Sequence, residues 1–372
     1  MSASSQHDLI ERIHASGRGC ILSLTGGGSL AIPILLTTPG ASATMLEAVV
    51  PYAAEALADW LGGKFNQACC EPTARAMAMA GFERARKLSA AEPTTLRGIG
   101  ATASLATTRP KRGPHRIHFA WHSAEATVSY SCELVKGQRT RAEEEAVAAE
   151  LVLHAVAEAC GVASGPPREP SPDEPVNRRE KRAPKEWTEL LLGQRQSVLY
   201  RIDGPPRVVF SGAFNPLHAG HHRMAEIAFA RCGAPVVMEL SIANVDKPTL
   251  DFLELESRLA GLSDHPVLLT RAATFAEKAA VVPGAVFVVG ADTIARIADE
   301  KYYDGNCEKR DSAIAGIAVH GCRFLAFGRV ADGRFMLPSD LNLPSQLRDM
   351  CEEVCESEFR QDVCSTELRA ES

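Results

Sequence analysis

From residue 207 onward, short apolar runs alternate with stretches of helical periodicity, and no other feature narrows the fold as much. The runs are Val208–Phe210, Val236–Leu240, Val267–Thr270, Val286–Val289 and Phe324–Phe327. Helical patterns follow His221, span Leu250–Leu262 and Phe275–Val281, and resume at Thr293. Strands that alternate with helices predict an α/β unit, a parallel sheet with helices on both faces. Ligands of such sheets sit beyond the carboxyl ends of the strands, so the residues directly after each run carry the functional argument.

The first half mixes the two signals. Cys20–Leu24 before a glycine run, Met45–Val50, Arg116–Trp121 and Ala126–Leu134 read as β-rich, and Pro72–Leu88 is a long Ala-rich segment. A helix over Arg141–Cys160 follows from Val147, Leu151, His154, Ala155 and Ala159 at helical spacing under an acidic first turn, with Gly161 at the C-cap position. His154 has Glu150 and Glu158 one turn to either side, which predicts a local ion pair or a packed histidine.

Between the halves the composition shifts. Gly165–Pro175 is rich in proline, and Arg178, Arg179, Lys181, Arg182 and Lys185 form a basic run. Prolines lack a donor and hold the chain extended, so 163–206 reads as a linker between an α/β domain at 1–162 and a second domain at 207–372. The basic run reads as a solvated charged stretch, with nuclear import or anion binding as the alternative. Trp187–Leu192 is apolar enough to dock on one of the domains.

With 40 Lys and Arg against 46 Asp and Glu, the formal charge of −6 offers no field for nucleic acid. An anionic ligand must be gripped locally, which suits a small phosphorylated metabolite. No stretch approaches the roughly 20 uninterrupted apolar residues of a membrane span, so a soluble chain is expected. The 11 cysteines include no C-x-x-C knuckle, and with no secretory leader they read as reduced thiols of a cytoplasmic protein. His118 with His122, and His218 with His222, have a spacing that suits zinc, but neither pair follows a knuckle and no metal site is expected.

Ser211-Gly212-Ala213-Phe214-Asn215-Pro216-Leu217-His218-Ala219-Gly220-His221 follows the first run of the second half. Gly212 and Ala213 are small enough for backbone amides to approach a phosphate, and the chain then enters a helix whose N-terminus attracts anions. His218 and His221, three apart, lie on one side of that entry, and Gly220 keeps the surface low for a nucleobase or ribose. The segment resembles the H-x-G-H signature of the nucleotidylyltransferase superfamily. It is closer to the nicotinamide- and nicotinate-nucleotide adenylyltransferases, whose opening reads G-S-F-N-P or G-T-F-D-P. Gly290-Ala291-Asp292 resembles their G-A-D segment, and Val363-Cys364-Ser365-Thr366-Glu367-Leu368-Arg369 their I-S-S-T-x-x-R, with Cys364 for its first serine. Ser365 and Thr366 opening a helix, with Arg369 one turn on, suit a triphosphate. Lys247 resembles the loop lysine near the phosphates.

The resemblance implies a Rossmann-like domain that transfers AMP from ATP to a pyridine mononucleotide and releases pyrophosphate, with Mg²⁺. His218 and His221 are then the catalytic residues, and Gly212, Ala213, Phe214, Asn215, Gly220, Lys247, Gly290, Asp292, Ser365, Thr366 and Arg369 line the nucleotide groove. The attacking phosphate is already an anion, so alignment and charge neutralisation are the protein's task. Open alternatives are a superfamily member that uses CTP or a phosphopantetheine-type acceptor, a silent nucleotide-binding regulator, and an amidase. Nicotinamide is the favoured acceptor over nicotinate; Tyr302 and Tyr303 are available to contact it. Whether the chain is a homo-oligomer stays open.

In the first half, Ser23-Leu24-Thr25-Gly26-Gly27, Thr38-Pro39-Gly40-Ala41-Ser42 and Val49-Val50-Pro51-Tyr52 resemble the competence-damage-inducible family, the nicotinamide-nucleotide amidases. The family's serine and tyrosine fall on Ser23 and Tyr52, but its lysine falls on Leu57, and its T-G-I-A-G-P loop is blurred into Gly98–Ala103. A serine without a base is a poor nucleophile, so the domain is expected to be degenerate. Ser23, Thr25 and Tyr52 would be a vestigial site, with a mononucleotide pocket at Thr25–Gly28.

Overall fold

The computed structural model describes residues 3–108, 112–245, 248–331 and 334–360. They divide into two compact units, Met1–Thr188 with Asp246–Glu256, and Glu189–Val245 with Ser257–Ser372.

The chain enters the first unit through α1 (Ala3–His14), β1 (Gly19–Thr25), α2 (Ala31–Thr37), β2 (Met45–Val49), α3 (Ala54–Leu61) and α4 (Glu71–Leu88). It continues through β3 (Leu96–Ser104), β4 (His115–His122), β5 (Ala126–Leu134), α5 (Arg141–Ala159), β6 (Val176–Arg182) and α6 (Lys185–Leu192), whose residues from Glu189 on belong to the second unit. The strands form one sheet in the order β2-β1-β3-β4-β5-β6, with β1 parallel to its two neighbours and the pairs from β3 to β6 antiparallel. Phe119 stacks on Tyr130 at 4.7 Å in the core. Thr140 and Glu143 close a capping box that starts α5.

Two expectations change here. Gly98–Ala103, matched to a loop in sequence, is the buried centre of β3. Its glycines let α4 press onto the sheet: a Cβ on Gly98 would strike the Ala78 carbonyl, and one on Gly100 the Ala74 carbonyl. Residues 176–182, expected within the linker, form the edge strand β6, paired with β5 from Ala126–Arg182 to Cys132–Val176. The basic run from Arg178 to Arg182 is therefore strand surface, and Lys185 opens α6. Arg178 pairs with Glu158 and Glu180, Arg179 with Glu71, and Lys181 with Glu256. Charged residues on an outer strand discourage pairing with another chain. His154 is a packed histidine, edge-on to Tyr130 at 5.9 Å and bonded to Ser164.

The second unit's strands are β7 (Ser197–Tyr200), β8 (Val208–Ser211), β9 (Val236–Ser241), β10 (Val267–Thr270), β11 (Val286–Gly290), β12 (Arg323–Phe327) and, after the hairpin β13 (Arg329–Ala331) and β14 (Arg334–Met336), β15 (Cys351–Val354). Its helices are α7 (Ala219–Cys232), α8 (Phe252–Ala260, shared with the first unit), α9 (Phe275–Val281), α10 (Ala291–Ala298), α11 (Cys307–Val319) and α12 (Ser345–Asp349). The sheet order is β15-β12-β11-β8-β9-β10-β7, parallel throughout except for β7 against β10. The chain works outward from β8 to β10, then returns to β11 on β8's other side. That reversal opens a crevice at the carboxyl ends of β8 and β11. Among the described residues no helix is long and apolar enough to cross a membrane.

Candidate active site

The H-x-G-H segment and the G-A-D segment leave the sheet at this crevice, from β8 and β11 respectively. Phe214 is buried with φ of 45°, a left-handed conformation unusual for a bulky residue. Its ring packs edge-on against Phe210 and His221, each at 5.3 Å. Gly212 is required beneath it, because a Cβ there would lie 2.7 Å from the Phe214 ring. The loop is thus folded around Phe214, which fixes the His221 imidazole.

His218 is the N-cap of α7: its Nδ1 accepts the Gly220 amide at 3.1 Å, and the Nδ1 of His221 accepts the His218 amide at 3.3 Å. The two rings lie 3.8 Å apart, centre to centre. Since both Nδ1 atoms accept, each neutral ring carries its proton on Nε2, as a donor. Burial lowers the pKa of both histidines, helped by the charge of His222 on His218 and of His218 and His222 on His221, which is brought down to about 4. Two neutral N–H donors side by side can bind phosphate oxygens.

Three other expected residues, Gly212, Ala213 and Gly220, have backbone groups that are already engaged. The Gly212 amide donates to the Glu239 carbonyl at 3.1 Å, so it continues the sheet. Ala213 offers its carbonyl to Arg258, 3.0 Å away. Gly220 is buried in the first turn of α7 with its amide given to His218, so it is no open platform. Gly290 is the N-cap of α10, and Asp292, in the first turn, pairs with Arg329 at 3.4 Å, both half-exposed. Asn215 lies in the loop between Phe214 and α7. Lys247, Ser365, Thr366 and Arg369 lie outside the described residues. Arg258 and Arg329 escaped the sequence reading because neither belongs to a spaced motif; only their helix and hairpin positions bring them here.

Residues 209–370 match the family model described as cytidylyltransferase-like. The C-terminal half carries a nucleotidylyltransferase domain. This cytidylyltransferase-like domain implies a nucleoside triphosphate as substrate. No curated protein matches the chain. Among solved structures, the competence/damage inducible protein CihA from Agrobacterium tumefaciens is 18% identical, with 42% of this chain and 94% of that one covered and a TM-score of 0.32. A competence-damaged protein (CinA) superfamily protein from Klebsiella pneumoniae is also 18% identical, over 42% and 96%, at 0.32. The competence or damage-inducible protein from Enterobacter asburiae is 16% identical, over 42% and 96%, at 0.33.

The residues expected to form a vestigial site in the first unit differ sharply in exposure. Ser23 is fully buried in β1, its hydroxyl 3.2 Å from the carbonyls of Met77 and Ile99. Tyr52 is 69% exposed, and Leu57, at the lysine position, is buried. Beyond Thr25, the glycine loop is already occupied. The Glu145 carboxylate accepts the Gly28 amide at 2.9 Å, the Leu30 amide at 3.1 Å and the Ser29 hydroxyl at 3.0 Å. A mononucleotide phosphate would have to displace that carboxylate.

Proposed function

We propose that the nucleotidylyltransferase domain transfers AMP from ATP to a pyridine mononucleotide, nicotinamide mononucleotide first, in a cytoplasmic route to a dinucleotide. The paired Nε2 donors of His218 and His221 at the crevice carry this reading, since they suit the charge that builds on an α-phosphate. A 5′-phosphate oxygen of the acceptor attacks the α-phosphorus, a P–O bond forms, and the bond to the departing pyrophosphate breaks. The nucleophile carries no proton, so no base is needed, in keeping with two imidazoles that act as donors. The G-A-F-N-P and G-A-D segments favour the pyridine acceptor.

Mg²⁺ belongs to this reading as part of the metal–ATP substrate, and no step is assigned to a protein-held ion. The first unit is read as degenerate in amide hydrolysis, supported by the buried Ser23 and the loop filled by Glu145.

The test is pyrophosphate release with Mg²⁺ and ATP or CTP over a panel of acceptors. Turnover with ATP and nicotinamide mononucleotide that falls about 10²- to 10³-fold in His218→Ala and His221→Ala, with little change in ATP affinity, is the expected result. Unchanged turnover in His221→Ala, or preference for CTP, sinks the assignment.

A further inference from the structure

The first unit contains two thiols in contact that this reaction does not use. Cys20, near the start of β1, and Cys160, the C-cap of α5, are 140 positions apart, yet their sulfurs lie 3.6 Å from each other. Cys20 is fully buried and Cys160 is 5% exposed, at a helix end where Gly161 turns the chain with φ of 73°.

Their surroundings are electropositive. Arg97 is only 8% exposed, and its hydrogen bonds run to the carbonyls of Thr94, Leu96 and Ala159 at 2.8, 2.7 and 2.6 Å. Among the described residues no carboxylate pairs with it. A buried guanidinium so placed favours negative charge on a neighbour. Cys160 is that neighbour: hydrogen bonds from Cys20 and Ser16, with the charges of Arg97 and Arg18, hold its thiol below the usual value. Burial instead raises the thiols of Cys69, Cys132, Cys232, Cys322 and Cys351. The Cys20 thiol is held above the usual value, first by its bond to Cys160 and then by burial. Two sulfurs in contact beside a buried guanidinium thus form a pair that a single two-electron oxidant can link.

We propose that Cys20 and Cys160 are a redox-active pair, which a peroxide converts to a disulfide. The Cys160 thiolate attacks one oxygen of hydrogen peroxide: the S–O bond forms, the O–O bond breaks, and hydroxide leaves to become water. Cys160 is now a sulfenic acid. The Cys20 sulfur attacks it, the S–S bond forms, the S–O bond breaks, and the hydroxyl departs as water with the Cys20 proton. Two thiols and one peroxide give one disulfide and two waters. The bond pins β1 to the end of α5 and closes a loop that includes most of the first unit.

The experiment treats the full-length protein with hydrogen peroxide, unfolds it in denaturant, blocks free thiols with iodoacetamide and maps peptides without reductant. A linked Cys20–Cys160 peptide, lost on dithiothreitol treatment, is expected, and Cys20→Ala should leave a dimedone-trapped sulfenic acid on Cys160. If the exposed Cys307 oxidises while Cys20 and Cys160 both stay alkylatable, the proposal is overturned. Dimedone on another cysteine but not on Cys160 in Cys20→Ala overturns it equally.

Discussion

Arg75 offers the most demanding test of how the first unit is held together. Its side chain is 4% exposed and surrounded by three carboxylates: Asp251, with both oxygens 2.7 Å from Nη1, Glu71 at 3.3 Å and Glu254 at 3.5 Å. Asp251 also accepts the amides of Leu253 and Glu254 at the start of α8. Replacing Arg75 with methionine keeps much of the side-chain volume but leaves three acids facing one another. Removing one partner of a buried pair costs about 3–5 kcal/mol, and the mutual repulsion puts Arg75→Met at the upper end. Asp251→Asn is milder, about 2 kcal/mol, because the arginine keeps two carboxylates and the asparagine can still cap the helix.

Tryptophan fluorescence in urea is the right assay, since all 3 tryptophans, Trp60, Trp121 and Trp187, belong to the first unit. With a urea slope of about 2 kcal/mol per molar, the arginine variant should unfold roughly 2 M earlier and the asparagine variant about 1 M earlier. The arginine variant's deficit should shrink in acid, as protonation relieves the crowded carboxylates. A cost below about 1 kcal/mol for Arg75→Met, or the reverse order of the two variants, would refute the reasoning, because a mere surface pair is worth that little.

Three further outcomes are expected. If His218 and His221 act as neutral donors, kcat/KM has no histidine limb between pH 6.5 and 8, because His221, at about 4, loses neutrality only well below that range; a limb near 6.5 contradicts the donor assignment. His122, buried between Phe82 and Phe252, is lowered to about 3, mainly by desolvation. Its folded pKa lies below the unfolded value of 6.5, so its contribution is complete above pH 6.5 and is lost as pH falls toward 3. The loss is on the order of 5 kcal/mol, and His122→Phe should flatten that slope in urea titrations. Finally, Arg258→Ala frees the Ala213 carbonyl and with it the loop around Phe214. Turnover should drop about tenfold for roughly 1.4 kcal/mol of lost alignment, while the melting temperature barely moves; a variant that melts much earlier and turns over normally would make Arg258 purely structural.

The core of the parallel sheet was legible because its inner strands are largely apolar runs, as buried parallel strands must be, whereas β15, with Glu352 and Glu353, carries no such run. Val267–Thr270 and Phe275–Val281 coincide with their elements residue for residue. β6 was not legible, since Asn177 to Arg182 are all polar and an edge strand with little burial leaves no apolar alternation to read. β3 was hidden for the opposite reason: Gly98 and Gly100 read as loop residues, whereas only their lack of a Cβ admits α4. At the crevice, spacing disclosed the two histidines but not their tautomers. Those depend on amides of the first turn of α7, which no pattern of residue types records.

The two units contain a similar device with opposite outcomes. In each, a strand ends in a glycine-containing turn that leads to a helix, the setting in which backbone amides meet anions. In the first unit the anion is Glu145, covalently part of the chain and so present at an effective concentration that a dissolved phosphate has difficulty matching. In the second, the turn is packed around Phe214, the Gly212 amide is spent on the sheet, and donors are supplied by His218 and His221. Each imidazole is oriented by an amide of its own helix turn, so the donors face the crevice without a carboxylate of the chain filling the anion's place. This difference in how the donors are satisfied, more than any difference in glycine content, is why turnover is assigned to the second unit.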